Sequence, residues 1–142
     1  MAGAAKARAE SRARVLVVTR VAAPGAVLLV EDSAGAEPAS TIPGQLVAAT
    51  ATSIAVGCAS SESTELTVGD LGAAEAKAST PVFDGRLATP SRKVAVRTLL
   101  GVTLLEVVVP TTDTRVRIWA NAPAEPTAIR IGVARAAAGI AR

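Results

Sequence analysis

The chain has 142 residues, a net charge of +3, no histidine, no tyrosine, one cysteine and two aromatic side chains, Phe83 and Trp119. That inventory removes Ser-His and Cys-His nucleophilic machinery and zinc sites built on histidine or several cysteines, so the sequence reads as a non-enzyme without a cofactor or metal. Half of the residues are hydrophobic, mostly alanine and valine, so any core is built from small side chains that each bury little area at about 25 cal/mol per Å².

The net charge hides a segregation. Residues 1–20 carry five basic groups against one acid, residues 21–84 carry Lys77 against eight acids, and residues 85–142 carry nine basic groups against three acids. Such asymmetry serves an anionic partner or lets two parts of one fold, or two copies, attract each other; the second reading asks less of the sequence. Cys58 has no partner for an intrachain disulfide and sits in an apolar run, Ile54-Ala55-Val56-Gly57-Cys58, which marks a buried, inert thiol. The uncharged stretch 38–61 is too polar to span a bilayer, and the first 14 residues lack the apolar run of a secretory signal. A cytoplasmic location is the resulting expectation.

In chain order, residues 1–14 form a basic, alanine-rich arm and residues 134–142 an Ala/Arg tail, both without an apolar stripe. Between them, residues 15–133 read as one domain of short strands. Residues 15–21 and 26–31 are apolar runs joined by Pro24-Gly25, a hairpin or a tight corner. Glu31-Asp32 closes the second run and reads as a solvated strand end rather than half of a cation site. A polar, proline-bearing loop covers 33–43. Further strands are expected over 45–50, 53–58, 64–68, 81–87, 93–98, 103–109, 114–120 and 127–133, with one or two helical turns over 73–79. Thr89-Pro90-Ser91 supplies a turn between two of them. Nine or ten short strands punctuated by turns, with no amphipathic helix, indicate an all-β antiparallel sandwich, with a partly closed barrel as the runner-up.

Alternation assigns the faces. Val94, Val96, Val107, Val109, Val116, Ile118, Ile129, Ile131 and Val133 fall on aliphatic sides and form the expected core. Opposite them stand Lys93, Arg97, Arg115, Arg117, Trp119 and Arg130, which make a basic plate if their three strands are neighbours. The plain alternative is a solvated sheet face with its guanidiniums paired to Glu106 and Asp113. Arg115, Arg117, Trp119 and Arg130 are the candidate partner-binding residues, because a tryptophan flanked by guanidiniums suits an acidic protein surface. One aromatic offers little stacking for nucleic acid. Other chemistry is thin: Lys6, Lys77 and Lys93 lie in contexts that read as exposed, which disfavours a Ser-Lys dyad, and Gly69-Asp70-Leu71-Gly72 lacks the strand-to-helix setting of a phosphate loop.

Three segments, Gly44-Gln45-Leu46-Val47, Phe83-Asp84-Gly85-Arg86-Leu87 ahead of Thr89-Pro90-Ser91, and Val109-Pro110 before Arg115-Val116-Arg117-Ile118-Trp119, resemble the competence protein J-like group of small bacterial β-sandwich proteins over about residues 15–133. The resemblance implies a sandwich fold and, as the best-understood role in that group, inhibition of a partner nuclease. This chain departs from the group in its few aromatics and its basic C-terminal half. Two functions are therefore carried forward: a non-enzymatic protein-interaction module of inhibitor or immunity type, and a structural or assembly subunit that self-associates into a homo-oligomer through edge strands or through its complementary acidic and basic halves.

Overall fold

Ten β-strands and two short 3-10 turns make up the regular structure of the computed structural model, which describes residues 15–37, 39, 45–59, 63–75 and 79–134. The basic arm and the tail beyond Ala134 lie outside the described residues. The strands are β1 (Val15–Val21), β2 (Val27–Asp32), β3 (Val47–Ala49), β4 (Ser53–Gly57), β5 (Thr64–Gly69), β6 (Thr80–Ala88), β7 (Lys93–Thr98), β8 (Thr103–Val108), β9 (Asp113–Ala120) and β10 (Ala128–Val133). They form two five-stranded sheets, the first in the order β1-β5-β10-β9-β6 and the second in the order β3-β4-β2-β7-β8. The fold is an all-β sandwich, as the spacing of the apolar runs predicts.

The two sheets meet through a layer of small aliphatic side chains. Leu28, Val30, Ile54, Val56, Val94, Val96 and Val107 come from the second sheet; Leu66, Val68, Leu87, Val116, Ile118, Ile129, Ile131 and Val133 come from the first. Every residue assigned to the core from alternation is buried there. β9 shows the cause plainly: Thr114, Val116, Ile118 and Ala120 are buried while their neighbours point out. A smaller cluster of Val27, Leu29 and Ala55, with Ala39 from the long loop, covers part of the second sheet's outer side.

The chain changes sheets at corners, and polar groups pin them. Pro24-Gly25-Ala26 is a 3-10 turn with Gly25 at φ 73°, and it sends β1 and β2 into different sheets, so it is a corner and not a hairpin. Thr89-Pro90-Ser91 does the same between β6 and β7. Asp32 is buried here, contrary to the solvated strand end expected of Glu31-Asp32. Its Oδ1 accepts from the Ser91 amide (3.1 Å) and hydroxyl (2.8 Å), and its Oδ2 from the Ala34 amide (3.2 Å). Glu31 is likewise engaged, in a mostly shielded ion pair with Arg97 at 3.1 Å and as acceptor from Ser53 Oγ at 3.1 Å. A corner that folds back on a strand end leaves a carboxylate no water, so the carboxylate must find backbone and hydroxyl donors.

One pairing departs from the antiparallel expectation. β5 and β10 run parallel, with Ile129 opposite Leu66 and Gly132 opposite Gly69. Parallel pairs favour cover on both faces. The second 3-10 turn, over Leu71–Ala74, supplies it by crossing the outer side of β10. Gly132 permits that approach: a Cβ there would lie 2.8 Å from the carbonyl oxygens of Asp70 and Leu71. Of the helical connection expected over 73–79, only Ala73 and Ala74 belong to this turn, Glu75 is already extended, and residues 76–78 lie outside the described set.

Ile118, fully buried at the middle of β9, tests the face assignment. Ile118→Ala should lower unfolding free energy by about 2–5 kcal/mol in urea titrations, as expected of a large-to-small change in a packed core.

Candidate docking face on the first sheet

β9 lies between β6 and β10, and its outward residues are Arg115, Arg117 and Trp119. Register sets their neighbours: Arg115 stands opposite Arg86, Arg117 opposite Asp84 on one side and Gly132 on the other, and Trp119 opposite Pro81 and Arg130. The four candidate partner-binding residues, Arg115, Arg117, Trp119 and Arg130, are thus brought together on one outer face.

The face is an alternating ionic network rather than a bare basic plate. Asp84 takes a two-pronged contact from Arg115, Nε to Oδ1 at 3.0 Å and Nη2 to Oδ2 at 2.8 Å. Arg117 Nε lies 3.8 Å from the same carboxylate, and its Nη1 donates to Glu75 Oε2 at 3.1 Å. Glu75 reaches that position because it follows the 3-10 turn seated on Gly132. Arg86 pairs with Asp113 at 3.0 Å. The Arg117 guanidinium lies over the Trp119 ring, 5.6 Å from its centroid, within the range of a cation–π contact. Arg117 is accordingly 21% exposed, against 47% for Arg115. Trp119 Nε1 is shielded from solvent and has no hydrogen-bond partner. The Arg115 hydrogen bonds, reinforced by its charge and that of Arg117, hold the Asp84 carboxyl below the usual carboxylate range, and Asp84 in turn raises Arg115.

Two parts of the sequence reading are corrected. Lys93 and Arg97 belong to β7 in the second sheet and take no part in this face. Lys93 is exposed, whereas Arg97 lies along the outer side of the second sheet and is engaged by Glu31, the Ser33 carbonyl (2.7 Å) and Thr103 Oγ1 (2.9 Å). The counterions also differ: Asp84 and Glu75, not Glu106 and Asp113, pair with Arg115 and Arg117, while Glu106 accepts from the Ser33 hydroxyl. Asp84 was visible in the sequence as a polar residue alternating with Phe83 and Gly85. Its role depends on β6 pairing with β9, which local alternation does not encode.

Elsewhere, Cys58 is buried, and that burial pushes its thiol pKa up against the smaller opposing effect of a hydrogen bond with Thr64. Among the described residues no three Cys, Asp or Glu side chains converge as a metal site. No helix among them is long and apolar enough to cross a membrane.

No family model matches the chain, and no curated protein matches it. Its structure is similar to that of ComJ, inhibitor of the DNA-degrading activity of NucA, from Bacillus subtilis. The TM-score is 0.69 at 8% sequence identity, over 87% of this chain and 98% of ComJ. The two chains share a fold, in line with the resemblance read from the sequence.

Two measurements check the local chemistry. The Asp84 carboxyl should titrate by NMR below the ordinary aspartate value of about 3.9, and Arg115→Ala should move its midpoint up. Because the folded-state pKa is the lower one, Asp84 adds stability above about pH 4 and loses that contribution as acidification passes its folded midpoint. Cys58 should react slowly with a thiol reagent in native protein and at full rate once denatured, since little thiolate forms in its buried setting.

Proposed function

We propose that this chain is a non-enzymatic protein-interaction module of inhibitor type, which docks an acidic protein surface on the outer face of its first sheet. The observation that carries the reading is the ordered set of Arg115, Arg117 and Trp119 on that face, fixed by Asp84 and Glu75. Guanidiniums held in place lose little freedom on binding and offer paired donors to a partner's carboxylates, while a stacked tryptophan supplies apolar area. The shared fold with ComJ supports an inhibitor role, with a nuclease as the first class of target to try. Residues 85–142 are basic overall, so the face would act by meeting acidic groups on a protein, not by imitating nucleic acid.

The test is affinity capture from the source organism with immobilised wild type beside an Arg115→Glu/Arg117→Ala variant. The Arg115 pair is exposed and weak, whereas Arg117 is 21% exposed and covers Trp119, so the variant should melt somewhat lower than wild type and its binding is read well below that temperature, where both are folded. Wild type should retain a defined protein whose activity it inhibits. The variant should bind that protein more weakly by about 2 kcal/mol, roughly 30-fold. Equal retention by both, or retention without inhibition, overturns the reading.

A further inference from the structure

The five large apolar side chains most exposed among the described residues lie on the edge strands β1 and β8 or in the β7–β8 hairpin, with Val18 on the outer side of the first sheet and Val108 on the outer side of the second. They are Val18 on β1, Leu99, Leu100 and Val102 in the β7–β8 hairpin, and Val108 on β8; Leu100 is 76% and Val108 68% exposed. β1 is an edge of the first sheet and β8 an edge of the second. Between them lies a cleft of about 490 Å³, walled by Val17, Val21, Leu66, Val102, Leu104 and Leu105. Among the described residues the two sheets therefore leave their shared flank open, with largely apolar walls and two strand edges whose backbone groups lack a neighbouring strand.

The opposite flank is handled differently. β3 has three residues, and β6 carries Pro81 near its start and Asp84 and Arg86 along its length. Short strands, prolines and charges are the devices that keep an edge from pairing. β1 and β8 carry one charge each, Arg20 and Glu106, of opposite sign, and no proline.

We propose that the β1–β8 flank is a self-association surface whose occupant is the same flank of a second copy of this chain. In such a dimer the other two edges are blocked, so open flank must meet open flank about a two-fold axis. An axis running along the flank places β1 of each copy beside β8 of the other. The strand bearing Arg20 then adjoins the strand bearing Glu106, twice by symmetry, and no like charges are forced together. The same arrangement gives both edges a strand to pair with and covers Val18, Val102 and Val108, whose joint exposure would otherwise be a template for uncontrolled strand addition. This surface is separate from the β9 face and does not rest on the docking reading above.

Sedimentation equilibrium over a concentration series tests it on the full chain. Wild type should be a dimer that dissociates on dilution. Val18→Lys and Val108→Lys should each shift the equilibrium to monomer with the melting temperature of the dilute wild type kept, because both side chains are exposed in the single chain. Arg20→Glu and Glu106→Arg should each weaken the dimer, and the double swap should restore it relative to either alone. A wild type that stays monomeric throughout, or a dimer indifferent to Val18→Lys and Val108→Lys, overturns the proposal. A monomeric wild type would leave the flank to a strand from another protein. Arg115→Glu serves as the control, since it alters the β9 face and should leave the dimer intact.

Discussion

The contact between the two sheets is the constraint from which the rest of the structure follows. Its side chains are almost all valine, isoleucine and leucine, so each strand contributes modest area and the layer succeeds only if every strand presents its aliphatic side inward. A slip of one residue in β9 would exchange Val116 and Ile118 for Arg115 and Arg117 and put guanidiniums in the core. The core therefore fixes the register, and the register fixes the outer face: the alternation that buries Ile118 also lines up Arg115, Arg117 and Trp119.

The charge segregation acquires a structural meaning in the same frame. The acidic stretch 21–84 contributes Glu31, Glu75 and Asp84, and the basic stretch 85–142 contributes Arg97, Arg115 and Arg117. Their pairs join segments far apart in the chain, so the segregated charges attract within one fold, the plainer of the two readings the composition allowed. The pairs differ in worth. Those at Asp84 are exposed, screened by salt and weak contributors to stability. Glu31–Arg97 is shielded and shares its partners with backbone carbonyls, so losing one member would strand the other.

Most of the fold was legible because alternation and turn chemistry are local. All ten strands and the inward residues of β7 to β10 follow from side-chain pattern alone. What was not legible is which strands share a sheet. Pro24-Gly25 and Thr89-Pro90-Ser91 signal a reversal equally well as a hairpin or as a corner, and only packing makes both of them corners. That single ambiguity moved Lys93 and Arg97 to the wrong sheet and hid the burial of Asp32, whose donors come from Ser91 across a corner. It also concealed Asp84 as the central counterion, since a residue's cross-strand neighbour depends on sheet order. The parallel β5–β10 pair had no sequence signal beyond Gly132, which makes room for the turn above it.

The two candidate surfaces ask for different partners, and the difference is electrostatic. On the β9 face each exposed arginine already has a carboxylate, so a polyanion would gain little by counterion release there and would have to displace Asp84 and Glu75. A folded acidic surface can instead share the guanidinium edges that those carboxylates leave available, and alternating charge rewards one registry over others. The β1–β8 flank offers two opposite charges and a row of aliphatic groups, so its affinity must come from burial and strand pairing. Because one surface is the exposed side of a sheet and the other the rim of both sheets, occupation of the rim leaves the β9 face open. A dimer formed at the flank would carry two copies of that face, which raises the apparent affinity for any partner able to reach both.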